Sequence, residues 1–329
     1  MEYAIVIGIN DYKGRPLKGA VNDAVNFAGW LKENALISSP ETNLKLLTSD
    51  ESNEIAMGHE IDIAIDSLIQ DARKRQGEHN RLYFYFSGHG LGSTYDNTAL
   101  CLRLWPEVMN HCFSSLIYKS WFINKSAFDE ILIFLDCCRE TDVLTESRAP
   151  MHDWATAIGN RPVKILICNS TIYGKLSYET PVDSDKKRGI FTAFLLDSLK
   201  GDAGTNDNGE ITALGLKKHI EDHFEGYAKK HEKFQQAQVS IQGPKAEDMV
   251  VCTVQKLTEK HNCEITFERD SNVTLFTPEL SEKKVGDVTK GTIWYQKLKK
   301  GMYLLKDNRT GETKTIINFS ENTLSHEQF

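Results

Sequence analysis

Residues 82–90 read LYFYFSGHG, and residues 131–140 read ILIFLDCCRE. Each is a short apolar run that stops abruptly at a polar cluster, one carrying a histidine and the other a pair of cysteines. An uninterrupted apolar run of this length suits a strand buried on both faces, as in a parallel sheet. Working outward, Tyr3–Ile9 ends the same way at Asn10-Asp11, and Val163–Cys168 at Asn169-Ser170-Thr171. Helical periods lie between the runs: Ala20–Asn34 carries apolar residues at 21, 24, 25, 28 and 31, and Ile55–Arg75 is amphipathic. Phe191–Leu199 and Ala213–Phe224 also read as helices, and Met249–Val254 is a last apolar run expected to close the sheet. Strands alternating with helices predict an α/β fold, a mostly parallel sheet covered by helices on both faces.

The chain has 329 residues, 40% hydrophobic and 26% charged, the balance of a globular protein. That length exceeds one small core and suggests a domain of roughly 200–250 residues with a smaller companion. The formal net charge of −7 argues against a nucleic-acid binder, which needs a basic face. No apolar run approaches the roughly 18 residues of a membrane-spanning helix. The opening MEYAIVIGINDY lacks the basic and cleavage regions of a signal peptide. Seven cysteines without a CxxC pair fit a reduced cytoplasmic protein with free thiols. From Cys263 onward the pattern changes to short alternating runs such as CEITFE, GTIWYQKL and GMYLLKD. A domain over 1–254, a linker over 255–262 and a small antiparallel β module over 263–329 are expected.

In open α/β sheets, ligands bind beyond the carboxyl ends of the strands. Two of those ends carry His89 and Cys138, 49 residues apart (138 − 89). Cysteine hydrolysis needs a thiolate, an imidazole to carry its proton, and donors for the oxyanion. Side chains alternate along a strand, so Asp136 and Cys138 face one way and Cys137 the other. Cys138 is therefore the candidate nucleophile and His89 the candidate base. The N–H groups of Gly90 and Cys138 are the candidate oxyanion donors.

Several stretches resemble the caspase-like cysteine peptidases, particularly bacterial members close to the metacaspases. AIVIGINDY resembles their first strand, LKGAVNDA (17–24) the first loop and helix start, and FYFSGHG (84–90) the catalytic-histidine strand. DCCRE (136–140) resembles the nucleophile loop, ICNSTIYGKLSYE (167–179) the substrate-lining strand, and RGIFTAFLLDSL (188–199) the helix after it. The resemblance runs from residue 1 to about residue 254. It implies a six-stranded caspase-like sheet and a cysteine endopeptidase acting on a protein substrate.

Aspartate-cutting members line their first specificity pocket with arginines, whereas the matching positions here are Leu17 and Glu179, with Asp136 replacing a Gln. Together with Asp23, these acids would attract a P1 Arg, and less strongly Lys. Asp23 also suits an acid facing a helix dipole, and Glu179 a solvated loop. Many metacaspases bind calcium through acids beyond the histidine. Here that region offers only Asp96, and Gly204–Glu210 departs from the EF-hand spacing, so no metal or other cofactor is expected. Arg148 and Arg188 lie in polar stretches where a basic-specific peptidase could cut itself. By family analogy the chain would act in bacterial defence and cell death, activating a gasdermin-like pore former or another effector. The C-terminal module would dock a regulatory partner. The alternative is an inactive caspase fold serving as a scaffold.

Overall fold

The computed structural model describes residues 1–34, 36–50, 58–75, 77–141, 147–150, 162–181, 187–206, 208–254, 262–318 and 325–329. They form two compact units, Met1–Ser198 with Thr212–Cys252, and Leu199–Ile211 with Thr253–Phe329. The partition differs from the composition-based one, because 199–211 groups with the C-terminal residues.

The first unit holds a six-stranded sheet: β1 (Glu2–Ile9), β2 (Leu44–Ser49), β3 (Arg81–Ser87), β4 (Glu130–Asp136), β5 (Lys164–Asn169) and β6 (Gln238–Gln242). Their spatial order is β6-β5-β4-β3-β1-β2. All neighbours run parallel except β6, which is antiparallel to β5. Among the described residues, the helices of eight residues or more in this unit are α1 (Ala20–Glu33), α2 (Gly58–Lys74), α3 (Ser115–Asn124), α4 (Ile190–Asp197) and α5 (Ala213–Lys230). Alternation along the strands divides the core. Tyr3, Ile5 and Ile7 pack with Ile61, Ile65 and Leu68 of α2 and Trp121 of α3. On the other face, Phe27 of α1 stacks on Tyr85 at 4.4 Å and lies 5.4 Å from Phe134. The Tyr85 hydroxyl meets Thr192 of α4 on that face. Two helix starts use side-chain caps: Ser114 Oγ accepts from Ile117 N–H at 3.2 Å, and Thr212 Oγ1 from Gly215 N–H at 3.1 Å.

The sheet closes on β6, not on the apolar run ending at Val254. QVSIQ alternates and buries only Val239 fully, as expected of an antiparallel edge strand. The run Val250–Thr253 lies outside the six-stranded sheet, and its Val251 carbonyl accepts from the Tyr83 hydroxyl at 2.8 Å. An apolar run signals burial rather than a particular hydrogen-bonding partner.

In the second unit, strands 282–288, 271–276, 301–307 and 313–318 form one antiparallel sheet in that order. A three-stranded sheet pairs 263–266 antiparallel with 293–296 but parallel with 325–328, so the module is not wholly antiparallel. The intervening strands supply the long crossover that a parallel pair requires. Asn262, expected in the linker, is instead fully buried and exchanges two hydrogen bonds with Leu298. The rest of that linker, 255–261, lies outside the described residues. Among the described residues no helix is long and apolar enough to cross a membrane.

Candidate active site

Register places the two reactive groups. β3 and β4 pair in parallel with Ser87 opposite Asp136, and His89 and Cys138 each follow by two residues. Neighbouring strands lie about 4.8 Å apart, so both side chains arrive at one edge. A second small sheet fixes the departing loops, because Leu91 pairs with Glu140 and Gly92 with Thr141. Gly90 makes this approach feasible: a Cβ there would lie 2.6 Å from Cys137 Sγ and 2.7 Å from the Cys138 carbonyl oxygen.

A cavity of about 130 Å³ gathers His89, Cys138, Asp136, Asp23, Glu179 and Gly189. This is room for the end of one side chain, well short of a typical small-molecule pocket of about 300 Å³ or more. Cys137 is buried in the core, while Cys138 is half-buried at the cavity. Both thiols border the cavity, Cys137 from the core side at 2% exposure and Cys138 from the more open side.

His89 has a defined tautomer. Its Nε2 lies 2.8 Å from the Arg15 carbonyl oxygen, which can only accept, so in the neutral ring Nε2 carries the hydrogen and Nδ1 keeps its lone pair. The ring lies edge-on to Tyr12 at 4.6 Å, and the Tyr12 hydroxyl accepts from His89 N–H at 3.1 Å and donates to the Cys101 carbonyl at 2.9 Å. Burial lowers the His89 pKa below the usual imidazole value. Burial also pushes the Cys138 thiol up to about 11, against the opposing effect of the Ser177 N–H, which reaches Sγ at 3.3 Å; Glu140 and Asp136 add to the rise. Both shifts favour the uncharged forms of the thiol and the imidazole. Alkylation of Cys138 by iodoacetamide should accordingly rise about tenfold per pH unit from pH 6 to pH 9. A rate that levels off below pH 7, followed by mass spectrometry of the Cys138 peptide, would show a thiolate–imidazolium pair instead.

Two carboxylates form the cavity floor. Asp136 Oδ2 accepts from Thr192 N–H at 3.0 Å and Thr192 Oγ1 at 2.7 Å, and its Oδ1 accepts from Ser177 Oγ at 2.8 Å. Asp23 Oδ2 accepts from Gly189 N–H at 2.8 Å and Ser87 Oγ at 3.3 Å. Its Oδ1 is buried with no hydrogen-bond partner. Burial raises the pKa of both acids, and Asp136 raises that of Asp23 further. Asp23 is thus not merely an acid facing a helix dipole, since it is 1% exposed beside a second carboxylate. Glu179 differs: its Oε1 accepts from Gly19 N–H at 2.7 Å and Lys18 N–H at 3.3 Å. It clamps the 18–19 loop at the cavity rim, partly exposed but hydrogen-bonded.

Arg148 is partly buried, its side chain 22% exposed. Its guanidinium pairs with buried Asp62 at 3.2 Å and donates to the Gly58 carbonyl at 2.7 Å. Its backbone bonds both ways, to the Cys112 carbonyl and from Ser114 N–H. A P1 side chain must leave its own fold to enter a specificity pocket, and this one is an internal anchor. Arg188 belongs to the strand 187–189, paired with Thr180, and the next residue, Gly189, is bound by Asp23. Cutting there would open the cavity wall itself. Of the calcium-like loop, Asp207 lies outside the described residues, and Asn206 binds Glu210 at 2.8 Å.

Tyr12, Thr192 and Gln235 escape sequence reasoning. They come from a loop, a helix start and a polar connection with no local chemical signature, and only the tertiary fold brings them to the site.

The caspase domain family matches residues 1–249. A protein of a Desulfuromonadales bacterium, described as a probable protease, is 28% identical over 214 residues, covering 60% of this chain and 26% of that protein. The chain thus spans about a quarter of the length of this relative.

Proposed function

Because the chain belongs to the caspase domain family, we propose that it is a cysteine endopeptidase acting on a protein substrate after basic residues, Arg before Lys. The observation that carries the proposal is the joint placement of His89, Cys138 and two buried carboxylates on one cavity.

The chemistry follows from the tautomer. His89 Nδ1 takes the Cys138 proton as the sulfur attacks the scissile carbonyl carbon. The N–H groups of Gly90 and Cys138 hold the oxyanion. The imidazolium returns its proton to the leaving amine as the peptide bond breaks. Water, activated by His89, then hydrolyses the thioester and releases Cys138.

Specificity follows from the floor. Asp23 Oδ1 lacks a donor, and Asp136 lies beside it. A guanidinium brings five N–H donors in a planar fork and cancels the charge repulsion between the acids, which a P1 aspartate would worsen. Gly189 keeps the space open, since a Cβ there would lie 2.1 Å from Asp136 Oδ2. By the resemblance to bacterial caspase-like proteases, the cut protein is an effector of a defence or cell-death pathway.

A peptide library with each residue fixed in turn at P1 tests this. Cleavage is expected after Arg, weaker after Lys, and absent after Asp and Leu. Turnover of Asp or Leu peptides with Arg peptides intact would overturn the pocket assignment. A folded protein that cuts none of them would favour a scaffold.

A further inference from the structure

Gln235, in the connection between α5 and β6, is 1% exposed, and its side-chain amide is fully engaged. Its orientation is forced. The Ser170 carbonyl can only accept, so Nε2 faces it, at 2.9 Å. The Tyr178 N–H can only donate, so Oε1 faces it, at 3.2 Å. The second Nε2 hydrogen meets Ser177 Oγ at 3.0 Å, and the Ser177 hydroxyl donates to Asp136 Oδ1 at 2.8 Å. Ser177 N–H in turn reaches Cys138 Sγ. On the other side, Ser170 Oγ accepts from Cys137 N–H at 3.2 Å and donates to the Cys137 carbonyl at 3.1 Å. One carboxamide therefore ties together the strand end that bears the sulfur and the loop whose N–H faces it.

We infer that Gln235 is a positioning residue that holds the Ser177 N–H on the Cys138 sulfur and the Ser177 hydroxyl on Asp136, coupling the nucleophile to the floor of the specificity pocket. This rests on the peptidase reading above. When the Cys138 proton passes to His89, the sulfur acquires negative charge before its bond to the carbonyl carbon is complete. An aligned N–H donor is worth most at that moment. Among the described residues, the charged or titratable side chains around the sulfur include His89, Asp136, Asp23, Glu179 and Cys137 in the cavity, and Glu140, and the Gln235 amide hydrogen-bonds none of them. Ser177 is the intermediary.

Two variants separate positioning from packing. Gln235→Met keeps the length and loses every hydrogen bond. Gln235→Glu keeps the acceptor for Tyr178 and loses both donors. In each, kcat on an Arg-P1 peptide is expected to fall about tenfold or more, with a smaller change in KM. The pH profile of Cys138 alkylation by iodoacetamide, read by mass spectrometry, should move to higher pH. That profile needs no turnover, so it tests Gln235 even if the wild-type chain cuts no peptide. If either variant fails to fold, the other supplies the readout. Alkylation profiles that superimpose on the wild type, or kcat unchanged in a folded variant, would overturn the inference. Failure of both variants to fold would also do so, making Gln235 a determinant of the fold alone.

Discussion

Replacing Cys138 by alanine is expected to lower kcat/KM on an Arg-P1 peptide by about a thousandfold or more and to leave the fold intact. Removing the nucleophile abolishes the acyl-enzyme route, leaving only the modest catalysis that binding and oxyanion donors supply. His89→Ala should cost a similar factor, because an unassisted thiol with a pKa raised to about 11 is scarcely ionised at neutral pH. Stability should change by no more than about 1 kcal/mol in Cys138→Ala, since the sulfur lines an open cavity and its loss creates no closed void. Cys137→Ala is the contrasting control. Its side chain is 2% exposed in the main core, so its loss should destabilise by about 1 kcal/mol or more and spare most of the activity. If Cys137→Ala abolished turnover and Cys138→Ala did not, the assignment by strand parity would be wrong.

Asp23→Asn is expected to move activity and stability in opposite directions. The carboxylate is 1% exposed, one oxygen lacks a partner, and burial with the neighbouring Asp136 holds its pKa well above the ordinary value. The sign follows from linkage. A carboxyl whose folded pKa is raised favours folding below its unfolded pKa, and this contribution is lost as pH rises toward and through the folded value. Asparagine keeps the shape, and its carbonyl oxygen can still accept from Gly189 N–H, but it carries no charge. The melting temperature of the variant relative to wild type should therefore increase between pH 5 and pH 8. Over the same range, cleavage after Arg should fall by about a hundredfold, the scale for depriving a buried guanidinium of one carboxylate partner. Asp136→Asn should weaken Arg cleavage similarly while also disturbing Thr192 and Ser177, which donate to it. A variant that is less stable at high pH, or that retains full Arg cleavage, would contradict the assignment of Asp23 to the floor.

Much of this site is legible without coordinates because strand ends are local features. An apolar run followed by SGHG or DCCRE announces both a buried strand and what stands at its carboxyl end. Parity alone distinguishes Cys138 from Cys137. Legibility fails where a residue's partner is distant in sequence. Glu179 and Arg148 both read as polar loop residues. Glu179 accepts hydrogen bonds from the 18–19 backbone, 160 positions away for Gly19, and Arg148 pairs with Asp62, 86 positions away. A charged residue in a polar stretch carries no mark of its eventual partner. The sheet edge is hidden for a related reason, since half-buried QVSIQ is a weaker hydropathy signal than the apolar run near Val254.

The sequence by itself determined the α/β class, the parallel core strands, the identity of the histidine and cysteine at their ends, and the acids beside them. Periodicity and burial are written into neighbouring residues, and steric rules then leave few topologies. Tertiary structure alone decided which acids face the cavity, which histidine nitrogen is free, which strand closes the sheet, and that Gln235 meets Ser177, whose N–H faces the sulfur. Those outcomes depend on hydrogen bonds between segments far apart in the chain, which are settled only when packing fixes their distances and directions.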